Sequence, residues 1–493
     1  MRTQICLLLF VCLLLTGCQP AADATNPAAS PTTQPAIAPL ALEPCTIASS
    51  VSAKCGTLRV PEDRANPSGR MLDLAVVVVP ARQPESQPDP LFFLAGGPGG
   101  AATSADAVYG ARSLFYKINA QRDIVYVDQR GSNTGHELTC DPIPFDVMQA
   151  TQQQMDGWMQ QCLSSLAGDP RFYTSAEAMR DLDDARVALG YDKINLYGIS
   201  YGATAAQVYM RMFGGRVRAA VLDHGTALDV PFAQAEPRAS QSALEQTLAA
   251  CEQDEACSAA FPQIRAEWQA VLARVSDGPV FTSYTAPGAT APSEVSLDVL
   301  ANAMHSLLFK SGGYSVIPGL IHQLASLEDW TPVVQSVSEQ YGGSSAAGAF
   351  ELMPNIIMCF EPAWGFDPEQ IARANPDAYN REYWARSAQV TQKICAALPQ
   401  PDPSLIYPPA SPAPISVLMF NSTLDPQNPP SNMEPALKEF TKSRMLVETA
   451  VGHETAGSGC RWDVIAEYIE EGSVDDLITA CMENQKPVFA VGP

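Results

Sequence analysis

Basic residues are scarce in this sequence, and the shortage argues against one class of partner. There are 30 Lys and Arg residues against 53 Asp and Glu residues, which gives a formal net charge of −23, and the basic residues form no cluster. Because phosphate groups bind to a concentrated basic surface, the composition predicts no nucleic-acid partner. The chain also has no Cys-x-x-Cys pair and no histidine cluster, so a zinc site is not predicted.

Long apolar stretches are missing too, apart from one near the N-terminus. Residues 5–15 form a short apolar run after Arg2, and Leu-Thr-Gly-Cys follows and ends at Cys18. The run is too short for a permanent membrane helix and is typical of a secretory signal, here over residues 1–17. The site resembles the lipobox of bacterial lipoproteins, which implies a lipid on Cys18 that anchors an exported protein in the bacterial cell envelope, on the periplasmic or outer-membrane side. Ordinary signal cleavage, with Cys18 incidental, is the alternative.

The rest of the chain divides into a tether and a folded part. Residues 18–44 are rich in Pro, Ala and Thr and too poor in large apolar groups to form a core, so we predict a flexible tether. The remaining ~450 residues exceed one typical domain. We predict an α/β core over 45–232 and 406–493, interrupted by a helical cap over 233–405.

Alternating patterns carry the prediction of an α/β fold. Short apolar runs typical of buried parallel strands lie at 74–79, 91–95, 124–127, 194–197, 219–222 and 415–420. Helical patterns at 175–189 and 203–213 lie between them, which predicts a mostly parallel sheet with helices on both faces. The helical patterns of the cap lie at 243–251, 264–275, 297–309 and 316–324.

Cysteine usage is consistent with an exported chain. Of 13 cysteines, Cys6 and Cys12 leave with the signal and Cys18 would carry the lipid. The ten that remain are an even number, which favours disulfides. Neighbour order suggests Cys45–Cys55, Cys140–Cys162, Cys251–Cys257, Cys359–Cys395 and Cys460–Cys481, although sequence does not fix the connectivity.

The motif Gly-Ile-Ser-Tyr-Gly at 198–202 lies between a predicted strand and a predicted helix. A strained turn at such a junction exposes a serine hydroxyl above the sheet, and the flanking glycines allow the strand and the helix to pack closely. We therefore predict that Ser200 is the nucleophile of a serine hydrolase. A chance match is the alternative, and the position between a strand and a helix argues against it.

The acid and then the histidine should follow the nucleophile along the chain. Of the five histidines, only His453 comes after the returning strand signal at 415–420, so it is the predicted base; a surface loop histidine is the alternative. Asp425 follows that strand in a proline-rich loop and is the predicted acid that orients the imidazole. Asp463 is its rival but comes after the histidine. We expect His224 to line the site without being the base.

A second glycine-rich segment, residues 96–100, directly follows the predicted strand 91–95. Backbone amides of such a turn face outward and would stabilise the oxyanion that forms when a serine attacks a carbonyl. The predicted donors are the amides of Tyr201 and Gly97, with Gly96 as the alternative to Gly97. A phosphate loop is the competing interpretation, but no Lys-Ser or Lys-Thr follows the glycines.

Three motifs together resemble the proline iminopeptidase and tripeptidyl aminopeptidase branch of the α/β-hydrolases: residues 96–100, residues 128–132 (Asp-Gln-Arg-Gly-Ser) and residues 198–202. His453 and the following Cys460 are similar to the C-terminal segment of tripeptidyl-aminopeptidase-like proteins. The resemblance implies an α/β-hydrolase fold and cleavage of peptide bonds near a free N-terminus, with the cap limiting access.

The same resemblance implies a structural role for Asp128 and Arg130, whose charges would tie their loop to the sheet beside the glycine turn. Ala95 departs from the proline iminopeptidase pattern, in which a histidine precedes the glycines. The longer cap and the paired cysteines favour the exported tripeptidyl type.

An aminopeptidase needs a carboxylate to hold the ammonium group of its substrate, because a buried cation without a partner is costly. Glu361 in the cap is the first candidate, and Glu236 and Asp223 come behind it. A solvated carboxylate is the alternative for each of the three.

The predicted reaction is acyl transfer through Ser200, on a peptide or on a small ester or amide, and no metal or organic cofactor is implied. One alternative is an esterase or other small-molecule hydrolase that uses the same triad. The other is an envelope lipoprotein that binds a ligand without catalysing a reaction.

Overall fold

A nine-stranded sheet forms the centre of the computed structural model, which describes residues 37–47, 50–132, 138–145, 147, 149–285, 293–327, 329–335, 350–454, 459–483 and 485–491. The strands along the chain are β1 Glu43–Ile47, β2 Val51–Pro61, β3 Met71–Val79, β4 Leu91–Leu94, β5 Ile124–Val127, β6 Thr139–Cys140, β7 Ile194–Ile199, β8 Val217–Asp223, β9 Val280–Phe281, β10 Glu294–Val295, β11 Phe350–Glu351, β12 Ala413–Ser422 and β13 Phe440–Glu448. The order across the central sheet is β1-β2-β3-β5-β4-β7-β8-β12-β13.

All six predicted strands are present, as β3, β4, β5, β7, β8 and β12. Pairing is parallel from β5 to β13, but β3 pairs antiparallel with both β2 and β5, so the prediction that every run is a parallel strand was wrong for β3. β1, β2 and β13 were not predicted. β2 alternates buried and exposed residues instead of forming an apolar run, and most residues of β13, at the edge of the sheet, are partly or fully exposed.

Helices cover both faces of the sheet, as predicted. On one face, Trp462, Ile465 and Tyr468 of the helix Gly459–Glu471 pack with Tyr197 and Phe420 of the sheet. The core helices are Ala105–Leu114, Ser175–Ala188, Tyr201–Phe213 and Gly459–Glu471, together with the short helices Pro430–Met433 and Ala436–Glu439.

The described residues between β8 and β12 are mainly helical and contain a separate apolar core around Trp268, Leu300 and Ile321. The helices of this cap are Phe232–Gln253, Glu255–Ala260, Ile264–Ser276, Leu297–Phe309, Ile317–Ser326, Leu352–Phe360, Pro368–Ala374 and Arg381–Ala397.

A segment that precedes the nucleophile in sequence packs with the cap, although the predicted boundary at residue 233 assigned it to the core. The helix Gln152–Ser165 packs against the cap helix Arg381–Ala397, and β6 pairs with β11. The cap is therefore built from two stretches of sequence, one on either side of the nucleophile.

The ten cysteines pair in neighbour order: Cys45–Cys55, Cys140–Cys162, Cys251–Cys257, Cys359–Cys395 and Cys460–Cys481. The predicted signal, Cys18 and most of the tether lie outside the described residues. Within the described ranges, no helix combines the length and the apolar character needed to cross a membrane.

Candidate active site

Ser200 lies alone between β7, which ends at Ile199, and a helix that begins at Tyr201. Its backbone has φ 56° and ψ −123°, a strained conformation for a residue with a side chain. A Cβ on Gly198 would lie 2.2 Å from the carbonyl oxygen of Gly202, and a Cβ on Gly202 would lie 2.1 Å from that of Leu94. Only glycine fits at both positions, and the turn is tighter than the five-residue segment predicted.

The three residues predicted as a triad lie in hydrogen-bond contact. Ser200 Oγ is 2.9 Å from His453 Nε2, and His453 Nδ1 is 2.9 Å from Asp425 Oδ2. Asp425 is fully buried and His453 is 4% exposed. The imidazole therefore has one nitrogen on the hydroxyl and the other on a carboxylate, which is the arrangement needed for a base that activates a serine.

The surroundings of Asp425 favour its ionised form. Its Oδ1 accepts hydrogen bonds from the backbone amides of Gln427, at 2.9 Å, and Asn428, at 2.8 Å. Burial by itself would raise the pKa of Asp425, but the charge and hydrogen bond of His453, with smaller contributions from His224 and the Asn428 amide, lower it. The loop after β12 thus supplies a carboxylate that stays charged while it orients the imidazole.

The loop that carries His453 rests on the cap. The amide of Glu454 donates to the carbonyl of Phe309 at 2.8 Å, and the Phe309 ring lies 4.5 Å from the imidazole. A Cβ on Gly452 would lie 2.2 Å from the carbonyl oxygen of Leu308. The C-terminal end of the cap helix Leu297–Phe309 therefore supports His453 directly.

The glycine turn lies beside the nucleophile. A Cβ on Gly96 would lie 3.3 Å from Ser200 Cβ and 3.8 Å from its Oγ, and the next residue, Gly97, has φ 122°. Tyr201 is the first residue of its helix, where backbone amides have no partner within the helix. The amides predicted as oxyanion donors thus belong to segments that meet at Ser200, and a side chain on Gly96 would press against the nucleophile.

The carboxylate of Asp223 does not serve a substrate in this arrangement. It is fully buried and contacts the guanidinium of Arg461, the hydroxyl of Tyr197, and His224 Nδ1 at 2.7 Å. Although burial opposes ionisation, the charge of Arg461, with His224 and Tyr197 behind it, lowers the pKa of Asp223. The prediction that Asp223 binds the substrate is therefore wrong, and Asp223 forms a structural ion pair with Arg461.

Arg461 ties the strand ends beneath the triad together. It is fully buried, pairs with Asp223 at the end of β8 and with Glu448 at the end of β13, and lies over the ring of Phe420 with its guanidinium carbon 4.5 Å from the ring centroid. These strands flank β12, from which the loop of Asp425 emerges.

Glu361, the first predicted ammonium ligand, already has partners inside the protein. It is 3% exposed, and its carboxylate accepts from the amide of Ser175 at 2.6 Å and from the Ser175 hydroxyl at 3.0 Å. Burial raises the pKa of Glu361 to about 7, and the hydrogen bonds from Ser175 offset part of that rise.

Glu236, placed second by the sequence, has an unpartnered oxygen. It is 1% exposed, and its Oε2 has no hydrogen-bond partner among the residues that the structure describes. Burial and the charge of Asp425 raise the pKa of Glu236 well above its ordinary value. Ser240, one turn later on the same face of the helix, bonds to His305 Nδ1 at 2.9 Å and to the carbonyl of Pro426 at 3.3 Å, so this face of the cap meets the loop of Asp425.

His305 belongs to this group of residues, although no role was predicted for it. Burial lowers its pKa to about 4, with the charge of His453 acting in the same direction and that of Asp425 against it. Its ring lies 5.5 Å from Trp384. A histidine within a helical pattern could not be assigned to the site from sequence. Its contact with Ser240, and through it with the loop of Asp425, depends on the tertiary packing of the cap.

The motif residues Asp128 and Arg130 have structural contacts, as the resemblance implied. Asp128 accepts from the amide and the hydroxyl of Thr103, both at 2.8 Å, just after the glycine turn. Arg130 is fully buried and binds both carboxylate oxygens of Asp181, at 2.7 and 2.8 Å. It also donates to the carbonyl of Pro61, the last residue of β2, at 3.4 Å, so it ties its loop to the helix Ser175–Ala188 and to the sheet.

Two family models match the chain. The model described as "alpha/beta hydrolase fold" matches residues 89–257, which include the nucleophile and both glycine motifs. The model described as "TAP-like protein" matches residues 381–481, which include Asp425 and His453.

Curated relatives match over part of their length. The chain is 29% identical over 186 residues to the tripeptidyl aminopeptidase of Streptomyces coelicolor, which covers 34% of each protein. It is 26% identical over 226 residues to the serine protease Hip1 of Mycobacterium tuberculosis, which covers 42% of each. The matched region thus spans less than half of each of these two relatives. Among solved structures, the proline iminopeptidase of Mycobacterium smegmatis matches 84% of this chain and 98% of its own, with 13% identity and a TM-score of 0.34.

Proposed function

We propose that this chain, an α/β-hydrolase, is a serine exopeptidase that cleaves peptide bonds near a free N-terminus. The observation that carries the proposal is the contact of His453 with Ser200 Oγ on one side and Asp425 on the other, each at 2.9 Å. The similarity to a tripeptidyl aminopeptidase and to a serine protease supports peptides as the substrate class.

The proposed mechanism is acyl transfer in two steps. His453 Nε2 removes the proton of Ser200 Oγ as that oxygen attacks the substrate carbonyl, and the amides of Tyr201 and of Gly96 or Gly97 hold the oxyanion. His453 then gives the proton to the leaving amine, and the acyl group stays on Ser200. In the second step His453 activates a water molecule, which releases the acyl group and regenerates the serine.

We propose Glu236 as the group that holds the substrate ammonium. A buried carboxyl group without a cationic partner stays protonated, because burial and the nearby Asp425 raise its pKa. An ammonium group bound at the unpartnered Oε2 would supply the missing charge and ionise Glu236. Glu361 is less suited to this role, because the Ser175 amide and hydroxyl already occupy its carboxylate.

The proposed nucleophile is tested with a fluorophosphonate probe and an aryl ester. Ser200→Ala should abolish both labelling and turnover, since the reacting oxygen is removed. Labelling of the variant at another serine would reject the mechanism.

The proposed ammonium site is tested with aminoacyl-arylamides whose amine is free or acetylated. Glu236→Gln should lower kcat/KM for the free amine by about 100-fold, which corresponds to losing ~3 kcal/mol from a buried charge pair, and should leave the acetylated substrate within about threefold. Glu252→Gln, on an exposed position of the same helix, is the matched control. Equal losses on both substrates would contradict the assignment.

We also propose that the enzyme acts outside the cytoplasm, anchored by a lipid on Cys18. The five cysteine pairs support an oxidising compartment.

A further inference from the structure

A buried chain of hydrogen bonds runs from the cap to the residue that follows the nucleophile. Gln129 Nε2 donates to the Tyr201 hydroxyl at 2.9 Å, the Tyr201 hydroxyl lies 2.7 Å from Ser175 Oγ, and Ser175 Oγ lies 3.0 Å from the carboxylate of Glu361. Ser175 is fully buried, and Tyr201 and Glu361 are each 3% exposed.

The two ends of this chain fix the direction of its protons. The side-chain nitrogen of Gln129 can only donate and an ionised carboxylate can only accept, so each hydroxyl donates toward Glu361. With this orientation all three contacts are satisfied. If residue 361 instead donated a proton to Ser175 Oγ, both ends of the chain would be donors. One of the two hydroxyl groups would then have no acceptor in the chain for its proton.

We infer that Glu361 is a positioning residue of the active site, which, as the terminal acceptor of this chain, fixes Tyr201 and thereby the oxyanion-binding turn next to Ser200. The inference rests on the proposed function, because it assumes that the amide of Tyr201 holds the oxyanion. It replaces the ammonium-binding role that the sequence suggested for Glu361.

The position of Glu361 in the fold supports this role. Glu361 directly follows the cap helix Leu352–Phe360, whereas Ser175 and Tyr201 are the first residues of two core helices. Besides the hydroxyl contact, the carboxylate accepts from the Ser175 amide at 2.6 Å. A negative charge at a helix N-terminus is stabilised by the helix dipole, so the cap contributes an anionic anchor to the core at the side of the nucleophile.

The charge of Glu361 changes with pH near neutrality. Burial raises its pKa to about 7. The hydroxyls of Tyr201 and Tyr407 interact electrostatically with Glu361, and burial raises the pKa of each hydroxyl above its ordinary value. Neither hydroxyl ionises near neutral pH, so the carboxyl group is the member of this set that changes charge there.

The test measures kcat and KM for an aryl ester and for a free-amine arylamide. Glu361→Gln should lower kcat on both substrates by about tenfold, less than the 10²- to 10³-fold loss known for removal of an oxyanion donor, with KM within about threefold. The double variant Glu361→Gln with Gln129→Glu should recover most of kcat, because it reverses the direction of the chain and satisfies all three contacts again. Glu369→Gln, on an exposed position of the cap, should leave kcat unchanged.

The pH profile gives a second readout. In the wild type, protonation of Glu361 below neutral pH should lower kcat by up to about tenfold, and this drop should be missing from the pH profile of Glu361→Gln. Ser175→Ala should lower kcat similarly, and combining it with Glu361→Gln should cause little further loss, because both changes break the same chain.

Three results would overturn the inference: a loss confined to the free-amine substrate, a double variant no faster than Glu361→Gln, or an unchanged pH profile. Failure of the proposed function has a different signature. A wild-type protein that reacts with a fluorophosphonate but cleaves no free-amine arylamide rejects the exopeptidase, and the inference is then judged on labelling and ester rates. A wild-type protein that does not label rejects both.

Discussion

The buried carboxyl group of Glu361 predicts an unusual dependence of stability on pH. Burial raises its pKa from 4.5 to about 7 in the folded protein, so between these values the folded state holds a proton that the unfolded state has lost. The unfolded state therefore binds fewer protons, and the contribution of Glu361 to the free energy of unfolding falls as pH rises through this window.

The size of the effect follows from the same shift. One pKa unit corresponds to about 1.4 kcal/mol, so the full contribution is ~3.4 kcal/mol, of which about 2.5 kcal/mol develops between pH 5 and pH 8. Little screening by solvent applies, because the side chain is 3% exposed. Glutamine cannot ionise, so Glu361→Gln lacks this pH-dependent loss.

Urea denaturation of the wild type and of Glu361→Gln at pH 5 and pH 8 measures the difference. The variant should gain about 2.5 kcal/mol relative to the wild type on going from pH 5 to pH 8, and the other titrating groups cancel because both proteins share them. A difference between the two proteins that stays constant with pH would show that Glu361 does not titrate in this window and would refute the reasoning.

The tight turn at Ser200, the buried ion pair of Arg461 and the lipid anchor on Cys18 can each be tested by a substitution. Gly202→Ala should abolish activity and destabilise the fold by at least ~2 kcal/mol in urea denaturation, because the new Cβ would lie 2.1 Å from the carbonyl oxygen of Leu94. Arg461→Met should lower the free energy of unfolding by about 3–5 kcal/mol, since it leaves Asp223 and Glu448 buried without a cation; a loss below ~1 kcal/mol would contradict this. Mass spectrometry of the mature protein should find a lipidated N-terminal Cys18, and Cys18→Ala should move the protein out of the membrane fraction.

Much of the sheet and the three residues in contact at Ser200 could be predicted from sequence. The predictable strands are continuous apolar runs, and the chain order of Ser200, Asp425 and His453 follows from the hydrolase pattern. β2 and β13 were not predicted, because an alternating or half-exposed strand lacks an apolar run. The pairing of β6 with β11 could not be predicted for a different reason: two-residue strands about 210 residues apart have no recognisable local sequence pattern.

The carboxylates were harder to assign, because the role of an acidic residue depends on its partners. Asp223, Glu236 and Glu361 are all buried, yet the first faces Arg461, the second has an unpartnered oxygen and the third accepts from Ser175. With 53 acidic residues in the chain, composition offers no way to separate them. The distinction comes from tertiary contacts, which decide whether a buried carboxyl group is neutralised, left free or used as an acceptor.

The cap illustrates how a division by sequence can conceal a shared site. Sequence separates residues 233–405 from the core as an inserted unit, which suggests a cover that limits access. In the structure the amide of Glu454 bonds to the carbonyl of Phe309, whose ring packs on the imidazole of His453. The same cap reaches the other side of the nucleophile through Glu361 and Ser175. Because the cap contacts the histidine and also supports the residue after Ser200, displacing it would disturb the geometry of the hydrolytic centre as well as access to it.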